Sequence, residues 1–204
     1  EPCLLGLEIV RSVREVAVGS YEAPEARLLD LLDDVGAYRH GADNAYEKFV
    51  IGEGKQVSAD GVVRNDVTHA CAVSTAESRT GHRALVYEAE NKGAEGGWSA
   101  VGRRFAPVQD WSGFRGLGLW VKGDGKGEAL RLQLRDDKGR NVDTVPIIDF
   151  QGWRLHTFAF PVATDFDFTK VEYLLVYFNN IPSGNKVRLV LDGLKLLPAL
   201  NPVR

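Results

Sequence analysis

The chain has 204 residues, 44% of them hydrophobic and 26% charged, with a formal net charge of −3 and an isoelectric point near 5.9. That length and hydrophobic content can bury a proper core, so one domain with an appended segment is the expected organisation. The acidic balance leaves no electrostatic footprint for nucleic acid, and no apolar run approaches the roughly 20 residues needed to span a bilayer.

Residues 1–28 differ from the rest. Leu7, Ile9, Val13, Val16 and Val18 fit a strand with one slip or a short helix equally well, and Ser12 with Glu15 has capping-box spacing. Pro24 and the polar run from Tyr21 to Arg27 read as a linker. The sequence starts at Glu1 without Met, which fits a leader already removed. Residues 1–28 are therefore expected to form an N-terminal arm or the end of a preceding module, and residues 29–204 a β-sandwich.

Beyond Leu29, turn signals recur at the short spacing of all-β sandwiches. Asp60-Gly61 and Asp124-Gly125 are dipeptides that supply positive φ in hairpin turns, while Gly81, Gly96-Gly97, Gly139 and Gly152 separate other apolar runs. Between them, Leu117, Leu119 and Val121 alternate with Gly118, Trp120 and Lys122. Leu130, Leu132 and Leu134 alternate with Arg131, Gln133 and Arg135, and Leu174, Val176 and Phe178 with Tyr173, Leu175 and Tyr177. That is strand periodicity with one apolar face. No α-helix longer than a turn or two is expected after residue 40.

Metal, redox and enzyme signatures are sparse. Cys3 and Cys71 are spaced so that a bridge would close a long loop, contributing about 4 kcal/mol in an oxidising compartment, but two cysteines do not establish one. His40, His69 and His82 match no zinc-module spacing and read as scattered surface histidines. There is no Gly-x-Ser-x-Gly, His-Glu-x-x-His, Walker loop or Cys-x-x-Cys. Gly123-Asp124-Gly125-Lys126-Gly127 reads as a hairpin tip, since it joins two strands rather than a strand and a helix.

The order of several motifs carries a family resemblance. Leu32-Asp33-Asp34-Val35, Thr80-Gly81-His82-Arg83-Ala84-Leu85-Val86-Tyr87, Gly97-Trp98, Asp110-Trp111-Ser112-Gly113-Phe114, Gly152-Trp153 and Leu191-Asp192-Gly193-Leu194-Lys195-Leu196 follow one another along residues 29–198. Together they resemble the jelly-roll carbohydrate-binding modules of the galactose-binding-like superfamily, the family 11 glucan-binding modules in particular. The pattern is also similar to the domain of complex I intermediate-associated proteins, so fold alone does not decide function.

The resemblance implies an all-β fold of two antiparallel sheets and a secreted, periplasmic or cell-surface module. Such a module binds a polysaccharide or oligosaccharide on its concave sheet and targets a catalytic neighbour. It also implies a structural calcium where first and last strands meet, which brings Asp33 and Asp34 towards Asp192. Sugar binding needs aromatic faces for pyranose C–H groups and forked donors and acceptors for hydroxyls. Arg131, Gln133 and Arg135 are the expected polar row, with Trp98, Trp120, Tyr173 and Tyr177 as aromatic partners. Trp111 and Trp153, beside turn glycines, read as core.

Two alternatives stay open: an enzyme on the same scaffold, for which His156 with Tyr173 or Tyr177 is the one nominated set, and a protein-interaction or assembly domain.

Overall fold

The computed structural model describes residues 20–34, 39–40, 55–57, 63–65, 67–94 and 96–198. Their strands are β1 (Arg27–Asp30), β2 (Arg39–His40), β3 (Lys55–Val57), β4 (Val63–Asn65), β5 (Val67–Ser74), β6 (Ala84–Asn91) and β7 (Gly97–Gln109). There follow β8 (Gly116–Asp124), β9 (Ala129–Asp136), β10 (Asn141–Thr144), β11 (Gln151–Ala159), β12 (Val171–Ile181) and β13 (Lys186–Leu197). The first sheet runs β11-β8-β13-β6-β5, with β1 also on β13; the second runs β10-β9-β12-β7-β2; β3 pairs with β4. All these pairings are antiparallel, and the two larger sheets make the expected β-sandwich.

Alternation decides what the sandwich encloses. Leu130, Leu132 and Leu134 of β9 and Leu174, Val176 and Phe178 of β12 point into one core, where they meet Leu117, Leu119 and Val121 of β8 and Val187, Leu189 and Leu191 of β13. Each fully buried side chain of this kind stabilises the fold by about 1.5–3 kcal/mol before conformational entropy is set against it. Trp111 completes one end, edge-on to Phe105 at 5.4 Å and parallel to Phe160 at 6.4 Å. Trp153 departs from the core expectation. Its cross-strand partner is Lys122, and on edge strand β11 it lies half-buried on the outer side of the first sheet.

The Asp124-Gly125 turn also differs from expectation. It does not close a hairpin within one sheet; it carries the chain from β8 in the first sheet to β9 in the second, with Gly125 and Gly127 both at positive φ. The Gly139 turn, by contrast, joins neighbours β9 and β10 and donates its N–H to the Asp136 carbonyl at 3.0 Å. Asp60-Gly61 lies outside the described residues.

Residues read as a linker contribute to the sandwich. Tyr21 is fully buried, donates its hydroxyl to the Gly193 carbonyl, and packs edge-on to Trp120 at 6.1 Å. Gly118 makes room for it: a Cβ there would stand 2.6 Å from Tyr21 Cδ2. Gly118→Ala is accordingly expected to cost about 1–3 kcal/mol, read as a lowered midpoint of chemical unfolding. Residues 1–19, including Cys3 and the ambiguous apolar segment, lie outside the described residues. Cys71 carries a free, half-buried thiol that burial pushes up to about 12.

Candidate functional site

The outer face of the second sheet gathers most of the nominated side chains. Register sets Tyr177 opposite Arg131 and Ala100, Leu175 opposite Gln133, Tyr173 opposite Arg135 and Arg104, and Gln133 opposite Asp143. Because side chains repeat every second residue on a strand, this places Arg131, Gln133, Arg135, Tyr173, Tyr177 and Trp98 on one face.

A chain of hydrogen bonds runs along it. Arg131 Nε donates to Asp143 Oδ2 at 3.0 Å, and a second guanidinium nitrogen reaches the same oxygen. Gln133 Nε2 also donates to Asp143 Oδ2, at 3.3 Å, while Gln133 Oε1 accepts from Arg135 Nε at 2.8 Å. Arg135 then reaches the Tyr177 hydroxyl at 3.4 Å. Trp98 lies beside Tyr177 with ring centroids 6.2 Å apart and planes 46° apart. Burial pushes the Tyr177 phenol up, outweighing the opposing pull of Arg135, so its O–H remains a donor at neutral pH.

Depth separates these residues into exposed and buried ones. Arg131 keeps 37% of its side chain exposed, whereas Gln133 is only 4% exposed and Tyr173 only 2%. Gln133 therefore spaces and orients the two arginines and Asp143 from a buried position. Tyr173 is packed with Ala100 and Leu175 beneath the Arg104 guanidinium, which lies 5.7 Å above its ring and pairs with Glu172 at 2.9 Å. Asp143 was absent from the nominated set, although Asn141 and Asp143 alternate along β10 as the arginines do along β9.

Trp120 does not join this face. It belongs to β8 of the first sheet, where Tyr21 packs on it and the Arg79 guanidinium lies 4.5 Å above the ring, leaving 9% of it exposed. His156, also in the first sheet, stacks on Phe150 at 5.4 Å with a buried Nε2, and burial lowers its pKa. It is therefore not assembled with Tyr173 or Tyr177, and the nominated acid–base set does not form.

The expected calcium ligands do not fit a cation. Asp33 and Asp34 are exposed, while Asp192 is fully buried with its oxygens facing donors: Thr80 N–H at 2.8 Å, Thr80 O–H at 2.5 Å, and the Arg79 N–H. A carboxylate surrounded by N–H and O–H groups has its charge already answered. Among the described residues, no group of three or more His, Cys, Asp or Glu side chains is arranged to hold a metal ion. His69 instead bonds Ser99 Oγ at 2.7 Å, and His82 is exposed; the His40 side chain lies outside the described residues.

A sandwich of antiparallel sheets with a polar and aromatic outer face on one of them is the build of a β-sandwich carbohydrate-binding module. Residues 46–198 match the family described as "Carbohydrate binding domain (family 11)", and the chain belongs to that family. Solved structures show the same fold. A family 11 module from Clostridium thermocellum, in complex with a β-1,3-1,4-mixed-linked tetrasaccharide, superposes with a TM-score of 0.58 at 13% identity, covering 86% of this chain and 97% of that one. The family 11 module of a cellulosomal cellulase of Clostridium thermocellum gives 0.52 at 13% identity over 76% of this chain and 99% of that one. A family 27 module from Caldicellulosiruptor saccharolyticus, in complex with mannohexaose, gives 0.53 at 17% identity over 86% and 98%. No curated protein matches in sequence. Among the described residues, no helix is long and apolar enough to cross a membrane.

Proposed function

We propose that this module holds a β-1,3-1,4-linked glucan on the outer face of the second sheet and thereby keeps an attached catalytic module at a polymeric substrate. The observation that carries the reading is the hydrogen-bonded run Arg131, Asp143, Gln133, Arg135, Tyr177, with Trp98 alongside. It pairs forked donors with aromatic surface on one rigid sheet, which is what alternating hydroxyls and C–H faces of a pyranose chain require. The choice of glucan is supported by the family and by the tetrasaccharide held by the Clostridium thermocellum module.

In this reading the binding module starts no later than Tyr21, which is built into the sandwich, the residues before it lead from a neighbour, and the protein works outside the cytoplasm where polysaccharide is found. Tethering raises the effective concentration of the partner enzyme on its substrate, so modest affinity suffices. The test is calorimetric titration with a mixed-linkage β-glucan tetrasaccharide and with mannohexaose, followed by chromatography of the recovered sugar. Saturable binding of the glucan with the sugar recovered intact is expected. Absence of any heat, a preference for mannohexaose, or shortened products would overturn the reading.

A further inference from the structure

On the outer side of the first sheet, across the sandwich from the polar row, Tyr21, Trp120 and the β1–β13 strand pair border a pocket of about 330 Å³. Antiparallel register sets Leu28 opposite Lys195 and Lys195 opposite Gly118, and the ring of Tyr21 occupies the space over that glycine. Leu28 and Leu31, 49% and 38% exposed, give the opening an apolar wall.

Positive charge in this pocket is incompletely answered. Arg103, Arg104, Arg131, Arg140 and Arg188 each pair with a carboxylate. The Arg79 guanidinium instead lies 4.5 Å above the Trp120 ring, and among the described residues no carboxylate or carbonyl accepts from it. Lys195 Nζ donates to the Tyr21 carbonyl at 3.1 Å and stands 3.8 Å from Glu22 Oε2. The buried Asp192 carboxylate is already met by Arg79 N–H, Thr80 N–H and Thr80 O–H, so two cations face one exposed carboxylate. Those same bonds anchor the Arg79 main chain, so its guanidinium is held from both ends, by the backbone and by the indole.

We propose that this pocket binds a hexuronate, the carboxylated sugar of acidic polysaccharides, and gives the module a second site separate from the glucan face. A guanidinium offers a fork of donors that matches the two oxygens of a carboxylate, and Lys195 adds a second positive charge. Leu28 and Leu31 suit the C–H face of a pyranose, while Glu22, 61% exposed, accepts from ring hydroxyls. A neutral sugar would leave Arg79 unanswered, and a simple anion would leave Glu22 and the leucines unused. Ligand pockets span about 300–1,000 Å³, so this one suits a single ring rather than a length of chain. With sites on opposite sides of the sandwich, one module would hold a neutral glucan and an acidic side group at once.

The test is calorimetric titration of the chain with sodium glucuronate, sodium galacturonate, glucose and sodium acetate, with the backbone amide signals of Arg79 and Thr80 followed by NMR. At least one uronate should saturate and shift those signals, while glucose and acetate at the same concentrations should not. Arg79→Gln should weaken uronate binding at least tenfold with a melting temperature within about two degrees of wild type, since the exposed guanidinium holds no ion pair. Lys195→Gln should weaken it by about threefold, and Arg79→Gln should bind the mixed-linkage tetrasaccharide as wild type does. No saturable response to either uronate overturns the proposal. So does an equal response to acetate, which would mean an anion patch, or to glucose, which would mean that charge plays no part. Uronate binding retained in Arg79→Gln, or signals that move along the Arg131 strand instead, also overturns it, as does a parallel loss of tetrasaccharide binding, which would show one surface rather than two.

Discussion

Arg131→Ala is expected to weaken oligosaccharide binding by about ten- to a hundredfold while leaving the melting temperature within about two degrees of wild type. The guanidinium is 37% exposed, and its partner Asp143 is 24% exposed, so the ion pair itself adds only about 0–1 kcal/mol to stability. What the pair supplies is orientation. With Nε and a terminal nitrogen both held on Asp143 Oδ2, the guanidinium plane is fixed in advance, which on the proposed reading lowers the cost of meeting a sugar. Hydrogen bonds to charged groups contribute about 1.5–3 kcal/mol, which sets the size of the loss.

Arg131→Lys should recover little, because a point charge cannot present two parallel donors. Asp143→Ala should weaken binding too, since it frees the Arg131 fork and leaves Gln133 Nε2 without that acceptor. Gln133→Ala is more telling than sequence would suggest: at 4% exposure it should lower both binding and stability, as a buried support does. Calorimetric titration beside scanning calorimetry separates these cases. If Arg131→Ala bound as tightly as wild type, the glucan would lie on another surface.

How much of this was legible depended on whether the signal was local. The leucines at 130, 132 and 134 force Arg131, Gln133 and Arg135 outward by strand alternation alone, and the same rule on β12 puts Tyr177 on an outer face. Alternation says which side of its own strand a residue takes but not which sheet the strand joins. That is why Trp120 and Tyr177, equally outward in pattern, lie on opposite sides of the sandwich. The same limit applies to Gln133, whose burial comes from neighbours on β10 and β12, and to Tyr21, whose place opposite Gly118 and Gly193 spans most of the chain.

Asp192→Ala is expected to do the reverse of Arg131→Ala, lowering stability by about 2–4 kcal/mol while glucan affinity in the folded fraction stays within about twofold. The argument rests on who faces the carboxylate. Arg79 N–H, Thr80 N–H and Thr80 O–H converge on it from a loop more than 100 residues earlier; Asp192 is fully buried though Arg79 and Thr80 are exposed residues, and removing the acceptor takes all three bonds away at once. Each unsatisfied buried group costs about 1–3 kcal/mol, and relaxation of the loop recovers part of the sum. Gly193, at φ +59 immediately after Asp192, holds its carbonyl on Tyr21, so loosening the loop should also loosen the contact between Tyr21 and Trp120. Asp192→Asn keeps one acceptor oxygen and should lose roughly half as much. Since the carboxylate is answered by donors rather than by an ion, EDTA should not reproduce the alanine phenotype. Urea unfolding of wild type and the two variants with and without chelator checks all three expectations, and a chelator that weakened wild type but left Asp192→Ala unchanged would show a cation at Asp192 after all.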